Sequence, residues 1–391
     1  MHQSHSHLPK KLNRSYILLA YLSLMIQGLA DNIRGPLFPD LLEQFHLDNK
    51  VGSLFFSIAS GMIIAGGYLG SYLLEKWGRI RTLQFSTLIL LLSILGIWQS
   101  PSFSFILIAV FFFGIAFGIL GVAQNVMVIE ASPTHEVQKW QSGLQSMYGL
   151  SSLTAPLLVS LMHSMGYPWQ TSFLVAAVLT GLLLVGSLFI KNQPPALVAE
   201  KKENSKGLGF EMFYFGFILA AYVAVEIMVS SRLAQFTREV AGWDFSSTGT
   251  LNSLFFVGMF AGRLMFVFWR PPLTLKTQMI ASLVLAVLAL TVGILVNPVG
   301  LAIAGLAMAP FYPLCMTMAG RLFPKDLSRV AGQGIALTGV TVVAMQTLVG
   351  YFADQYGLKL SLFVGPGFAL LALGMILLYQ PLFKRSINGN D

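Results

Sequence analysis

KNQPPALVAEKKENSKGL, residues 191–208, is the one long polar connection in a chain of 391 residues that is otherwise rich in apolar runs. Two adjacent prolines and mixed charges give it the composition of a linker between folded units. On each side of it, apolar runs of about 20 residues recur, which is the length needed to cross a hydrocarbon layer of about 30 Å. The stretch therefore predicts a membrane chain built in two parts.

Twelve apolar runs predict twelve membrane spans, six before the linker and six after it. Hydrophobic residues make up 55% of the chain and charged residues only 10%, against about 25% charged in an average soluble domain. Unbroken runs favour helices over barrel strands, which alternate apolar and polar residues over about 10 positions. We predict an all-α integral membrane protein with spans near residues 15–37, 51–74, 82–98, 103–129, 138–162, 168–190, 209–236, 246–269, 273–296, 299–321, 328–353 and 359–383.

The two parts are related by a constant offset in the sequence. Moving by 191 positions pairs like residues in spans and loops: Gly67 with Gly258, Arg79 with Arg270, Gly114 with Gly305, Pro133 with Pro324, Gly143 with Gly334, and Gly166 with Gly357. A parallel duplication of this kind places a substrate site between the halves near the bilayer midplane. We predict two pseudo-symmetric six-helix bundles, organised as tail 1–14, bundle 15–190, linker 191–208, bundle 209–383 and tail 384–391.

The basic residues indicate membrane orientation rather than nucleic-acid binding. The net charge is +8, but all of the 24 Lys and Arg residues except five fall in inside segments or adjoining helix ends when both termini are cytoplasmic, as the positive-inside rule requires. The exceptions are Arg34, Lys50, Arg232, Arg238 and Lys359. We predict a multi-pass protein of the inner (cytoplasmic) membrane, surrounded by lipid, with both termini cytoplasmic.

Signatures of catalysis or bound cofactors are missing from the sequence. The single cysteine, Cys315, excludes an internal disulfide and offers no metal cluster. There is no nucleotide-binding loop and no nucleophile–base motif. We expect no enzymatic activity, no metal site and no cofactor, and we expect a monomer.

The loop after the second span reads GSYLLEKWGRIR, from Gly70 to Arg81. It resembles the cytoplasmic signature of the major facilitator superfamily: a glycine, an acid, a basic residue, a glycine and two further basic residues. Glu75 stands for the usual aspartate. The resemblance implies a transporter in which Glu75, Gly78, Arg79 and Arg81 act in gating, whereas for Arg81 simple orientation by positive charge is the alternative.

Three further segments resemble the fucose-proton symporter branch of that superfamily. Asn125 is followed by a proline eight residues later, the tenth span carries a small-residue run ending in Tyr312 and Pro313, and the eighth span ends in Gly262 and Arg263. The branch implies proton-coupled symport of a sugar or a related small polar solute. Arg263, and Glu130 at the predicted cytoplasmic end of the fourth span, are assigned to gating.

The carboxylates of this chain depart from the branch. The acidic positions of the symporter's first and fourth helices fall on Gly35 and Gly121. Asp31 lies one turn before Gly35 on the same helix face, and Glu226 lies mid-helix in the seventh span with no basic residue three or four positions away. Intramembrane carboxylates are functional candidates by default. We predict that Glu226 and Asp31 carry the coupling proton; sodium is the alternative ion.

Polar side chains of several spans are candidates for substrate binding. Arg34 shares a helix face with Asp31, so that a local ion pair is the alternative to substrate contact. Amides suit hydroxyl-rich or carboxylate ligands, although they also bridge membrane helices, and tyrosines offer both a ring and a hydroxyl. The predicted set is Arg34, Gln124, Asn125, Gln145, Tyr148, Tyr312 and Gln333.

A second function is compatible with the same fold. A proton antiporter exporting drugs or metabolites would favour a cavity rich in Phe and Met, and the chain has 30 Phe and 17 Met. The segment SLTAP, residues 152–156, is similar to the antiporter signature of the fifth helix, with Ala155 in place of its glycine. Arg34 and Arg232 would also suit an anionic substrate, because Arg binds carboxylates with two hydrogen bonds.

Overall fold

The structure, a computed structural model, describes residues 12–47, 49–191, 208–269 and 271–378. Nearly all of the predicted linker 191–208, most of the tail 1–14 and the whole tail 384–391 lie outside these ranges. The described chain folds into twelve long helices: α1 Arg14–Asn32, α2 Leu54–Trp77, α3 Arg79–Trp98, α4 Phe103–Ala131, α5 Val137–Ser164, α6 Gln170–Leu188, α7 Leu208–Glu239, α8 Phe245–Phe268, α9 Leu275–Leu295, α10 Val299–Leu322, α11 Leu327–Tyr356 and α12 Leu358–Leu378.

Two of these helices are interrupted and several short helices connect them. α10 consists of Val299–Met308 and Phe311–Leu322, and α12 of Leu358–Ser361 and Val364–Leu378. The break in α10 falls at Pro310, which has no N–H group for a helical hydrogen bond. The connecting helices are Phe38–Gln44, Asn49–Gly52 and the 3₁₀ turn Thr134–Glu136.

Ten of the helices in the described ranges are long and apolar enough to cross a membrane. The two others, α1 and α5, have sufficient length but carry several amide, hydroxyl and charged side chains. Polar groups at membrane depth must face protein or a water-filled cavity. The polarity of α1 and α5 therefore places them in the interior of the bundle, where each packs against the other.

Helix ends follow from local sequence. The side chains of Asn13, Ser102 and Thr274 accept hydrogen bonds from backbone N–H groups in the first turns of α1, α4 and α9, as expected of N-cap residues. Gly78 ends α2 with φ of 78°, a conformation that costs L residues with a side chain free energy. The tight reversal from α2 into α3 thus depends on this glycine.

The duplication predicted from the sequence is present in the fold. Adding 191 to the bounds of α2 gives those of α8, Phe245–Phe268. One apolar core consists of residues from α1–α6 and their connections, and the other consists mainly of residues from α7–α12 with a few from α2, α4 and α5. The halves meet where α2 packs against α11 and α5 against α8. Adding 191 to the residue numbers relates α2 to α8 and α5 to α11, so the two contacts are equivalent by the internal symmetry.

The halves are joined at one end of the bundle, which we call the linker end and which carries the turn at Gly78 and the starts of α5 and α11. There the Ser71 hydroxyl donates to the Ser328 carbonyl oxygen at 2.8 Å, and Glu75 accepts from Arg329 Nε at 2.8 Å. The backbones of α2 and α11 approach so closely that a Cβ atom on Gly332 would lie 1.8 Å from Ser71 Oγ. The linker end is therefore closed.

Candidate functional site

A carboxylate–guanidinium pair lies inside the second half. Arg263 Nη2 of α8 donates to both carboxylate oxygens of Glu226 on α7, at 3.0 and 3.1 Å. The Arg263 side chain is 4% exposed and that of Glu226 21%. The sequence offers Glu226 no basic residue within one turn of its own helix, and its partner Arg263 comes from another helix. Arg263, assigned to gating from the sequence, directs its side chain into this interior site.

Tyr222 completes the surroundings of Glu226 one turn earlier on α7. Its hydroxyl oxygen lies 3.0 Å from Glu226 Oε2 and 2.8 Å from the carbonyl oxygen of Met308, the last residue of the first segment of α10. Its ring stacks on Phe311 with centroids 4.5 Å apart. Tyr222 is fully buried, so both polar contacts are made inside the protein.

The first half contains a similar group built from Asp31, Arg34 and Tyr148. Arg34 pairs with Asp31, whose second oxygen accepts from the Tyr148 hydroxyl of α5 at 2.8 Å. The Arg34 guanidinium also lies over the rings of Phe55, Phe56 and Phe113, at 5.7, 5.5 and 4.8 Å from their centroids. Its side chain is 9% exposed. The local ion pair is the geometry found.

Polar contacts extend from the Glu226 group to residues of the first half. Arg263 Nη1 donates to the Gln145 carbonyl oxygen at 3.5 Å, and Gln145 Nε2 donates to Asn125 Oδ1 at 3.3 Å. Tyr312 of α10 lies near both Asn125 and Glu226, and Tyr148 lies one turn after Gln145 on α5. We call this set the central cluster: Asp31, Asn125, Gln145, Tyr148, Tyr222, Glu226, Arg263 and Tyr312.

Three of the predicted binding residues lie outside the central cluster. Gln124 is fully buried between α1 and α4, hydrogen-bonded to Ser23 and Gln27, which is the helix-packing role. Arg34 lies behind Asp31 among the rings of Phe55, Phe56 and Phe113, which we call the aromatic enclosure. Gln333 is half-buried on α11, with a carbonyl oxygen that accepts no hydrogen bond in the described structure.

The predicted gating residues lie at the linker end, apart from Arg263. Glu75 connects the halves through Arg329, whereas Arg79 pairs with Glu130 within the first half. Gly78 forms the turn between α2 and α3, and Arg81 is exposed. Sequence reasoning missed Tyr222, Ser71 and Arg329. Tyr222 was detectable, since it precedes Glu226 by four residues and such residues are neighbours on a helix.

Replacing Arg34 with lysine is expected to lower the stability of the protein by about 1–2 kcal/mol, because an ammonium cannot reproduce the planar contacts with three rings and a carboxylate. Thermal unfolding of the purified protein in detergent measures this loss. Arg321→Lys, on an exposed residue of α10, is the matched control. Equal melting temperatures of Arg34→Lys and Arg321→Lys would show that the contacts of Arg34 with the aromatic rings do not stabilise the protein.

Two cavities lie at the end of the bundle opposite the linker end. One of about 340 Å³ lies between the Phe38–Gln44 helix and the end of α5, and one of about 690 Å³ adjoins Arg238 and Trp243. Neither is lined by the central cluster.

Within the described ranges no group of three or more His, Cys, Asp or Glu residues could hold a metal ion.

Comparison with known proteins identifies the family. The profile described as Major Facilitator Superfamily matches residues 20–342. The chain belongs to the Major Facilitator Superfamily. Membership agrees with the twelve-helix architecture and with the resemblance drawn from residues 70–81. It makes the chain a multi-pass membrane protein with the fold of a transporter family.

Individual superfamily members are similar over nearly the whole chain. The glucose/mannose transporter GlcP of Bacillus subtilis (strain 168) is 23% identical over 389 residues, covering 93% of this chain and 94% of that protein. FucP, a fucose:proton symporter, in its outward conformation superposes with a TM-score of 0.80 at 14% identity, and the human organic anion transporter MFSD10 with 0.78 at 15%; each covers 93% of this chain and 99% of its own. At these identities the solved structures show the shared fold.

Proposed function

We propose that this protein is a proton-coupled symporter that moves a small neutral polar solute, with sugars as the leading class, by alternating access. The observation that carries the proposal is the Glu226–Arg263 pair, in which a partly exposed carboxylate holds a buried guanidinium that also contacts the opposite half. GlcP and FucP, which are named as sugar carriers, support the substrate class. FucP, named as a proton symporter, supports the coupling ion.

The coupling step follows from the contacts of Arg263. While Glu226 is ionised, its two oxygens hold Arg263 Nη2. A proton arriving at Glu226 removes the negative charge and weakens the bonds from Arg263 Nη2, while the contact of Arg263 with the Gln145 carbonyl oxygen of the other half is unchanged. Because a buried cation without a counter-charge is costly, protonation destabilises this arrangement of the halves. The proton is thereby linked to the movement that exposes the site on the opposite side.

The charge balance of the central cluster favours a neutral solute. Arg263 and Arg34 are both neutralised by carboxylates of their own half, so neither guanidinium is left for an anionic substrate. Asn125, Gln145, Tyr148 and Tyr312 contribute amide and hydroxyl groups that match the donors and acceptors of a polyol. We assign the solute to the space between these side chains, with one site in each monomer.

The proposed orientation places the linker end in the cytoplasm, with both chain termini on that side of a bacterial inner membrane. Lysine and arginine are concentrated toward this end, as the positive-inside rule predicts. In this orientation the closed linker end is the cytoplasmic end of the bundle. The Glu75–Arg329 and Ser71–Ser328 contacts are then an inner gate that separates when the solute is released.

The test is uptake of labelled sugars into proteoliposomes under an imposed pH gradient. Wild-type protein is expected to concentrate a sugar only with the gradient, and Glu226→Gln is expected to equilibrate it without accumulation. Glu239→Gln is the matched control, because Glu239 lies at the exposed end of the same helix. Export of a lipophilic cation against protons would replace symport by antiport. Accumulation by Glu226→Gln equal to that of the wild type would remove the proton role from Glu226.

A further inference from the structure

The hydroxyl group of Tyr222 has more partners than it has hydrogens. It lies 2.8 Å from the Met308 carbonyl oxygen and 3.0 Å from Glu226 Oε2. A hydroxyl has one hydrogen to donate and two lone pairs to accept with. The Met308 carbonyl oxygen accepts in every protonation state of Glu226, whereas Glu226 Oε2 accepts when ionised and can donate when protonated, so the single Tyr222 hydrogen is left to Met308 once Glu226 is protonated.

The Met308 carbonyl needs this donor. Met308 ends the first segment of α10, and carbonyl groups in the last turn of a helix have no intrahelical partner. Met308 and Tyr222 are both fully buried. A buried carbonyl oxygen without a hydrogen bond lowers the stability of the fold. When Glu226 is protonated, the tyrosine hydrogen therefore goes to Met308, and a lone pair of the hydroxyl oxygen is left to accept from the carboxyl group.

We propose that Tyr222 is the positioning residue for the protonated state of Glu226: the protonated carboxyl donates its hydrogen to Tyr222 Oη, while Tyr222 donates to Met308. This proposal rests on the proposed function and extends it to a residue with no assigned role. Glu226 then has two alternative settings. Ionised, both of its oxygens accept; protonated, Oε2 donates to Tyr222, and Arg263 keeps only a bond to the neutral oxygen Oε1.

Other titratable groups facing Glu226 do not duplicate this role. Arg263 of α8 is a permanent donor. Tyr148 of α5 donates its hydroxyl hydrogen to Asp31, and Tyr312 of α10 lies beside Asn125. The titratable residues that the described parts of α11 and α12 carry lie near helix ends: Arg329, Tyr351, Asp354, Tyr356 and Lys359.

The sign of a pH shift distinguishes the two directions of the hydrogen bond. If Tyr222 accepts from the protonated carboxyl, Tyr222→Phe removes a bond made only in the protonated state. Half-protonation of Glu226 then moves to lower pH by about one unit, which corresponds to the loss of one hydrogen bond. If Tyr222 instead donates to the carboxylate, the same substitution moves half-protonation to higher pH.

The measurement is an infrared titration of the purified protein in vesicles, following the C=O stretch of the protonated carboxyl and identifying Glu226 by its absence in Glu226→Gln. Tyr214→Phe is the matched control, because Tyr214 is also on α7 and donates to a carbonyl of another helix, that of Met375, at 2.8 Å. A shift to lower pH in Tyr222→Phe, with none in Tyr214→Phe, supports the proposal. No shift, a shift to higher pH, or no titration of Glu226 overturns it.

The readout does not depend on transport. If the infrared shift occurs but uptake needs no pH gradient, the symport function fails and the hydrogen bond stands. Should Tyr222→Phe not fold, the wild-type spectrum decides: a carboxyl that donates a hydrogen bond absorbs at lower frequency than a free one, and a Glu226 band at the free position contradicts the proposal.

Discussion

Replacing Arg263 with alanine is expected to abolish gradient-driven uptake and to lower the free energy of unfolding by about 3–5 kcal/mol at neutral pH. The loss is large because the substitution leaves Glu226 as a carboxylate without its counter-charge among buried residues, and breaking a buried pair from one side costs more than replacing both partners. The stability loss should shrink as the pH falls and the carboxyl takes up a proton.

Chemical unfolding in detergent measures the change in the free energy of unfolding, and uptake into proteoliposomes measures the loss of gradient-driven transport. The double variant Arg263→Gln/Glu226→Gln is the informative control, because it removes both charges while keeping side chains of similar shape. It should recover most of the stability and none of the gradient-driven accumulation. Equal instability of the single and double variants would mean that Arg263 contributes packing rather than charge.

Replacing Gly332 with valine is expected to prevent closure of the linker end. A Cβ atom at this position would lie 1.8 Å from Ser71 Oγ and 2.6 Å from the Gly67 carbonyl oxygen. The second of these atoms belongs to the backbone, so rotation of a side chain cannot relieve the clash. In the closed arrangement α2 and α11 must then separate, which favours the state that is open at the linker end.

Thiol labelling reports this shift. A cysteine introduced at position 71 should react slowly with a membrane-impermeant maleimide in wild type and at least about tenfold faster after Gly332→Val, the factor that corresponds to about 1.4 kcal/mol. The native Cys315 is fully buried and gives the background. Gly350→Val, on the same helix with open space around its Cα, is the control. Unchanged labelling in Gly332→Val would show that the close contact does not hold the gate.

The architecture could be read from the sequence because a bilayer imposes strong and simple constraints. Apolar runs of fixed length predicted all twelve helices, and the offset of 191 predicted that the halves are related. Gly70–Arg81 indicated the superfamily because its glycines, acid and basic residues follow the pattern of the family's signature, and one of these glycines, Gly78, forms a turn with φ above zero. These features depend on neighbours in sequence or on a fixed period, which a single chain displays directly.

The central cluster was only partly predictable, since its contacts join residues far apart in the chain. Asp31 and Arg34 are three residues apart, and their pairing was foreseen as an alternative. Arg263 follows Glu226 by 37 positions, so its pairing depends on how α7 and α8 pack. Gln124 and Asn125 are adjacent and chemically similar, yet one faces α1 and the other faces Gln145. Which of two neighbours turns toward the interface is decided by tertiary packing.

The symmetry of the fold does not extend to its charged side chains. The offset of 191 places Tyr222 at the position of Asp31, and Glu226 at the position of Gly35. Both halves thus contain a carboxylate that contacts an arginine and a tyrosine. The three residues occupy different positions in the two halves when these are aligned by the offset of 191. A chimera made from two N-terminal copies would inherit the scaffold and two Asp31 groups, without the Glu226 group. The two halves therefore share a framework of helices but not the positions of their charged side chains.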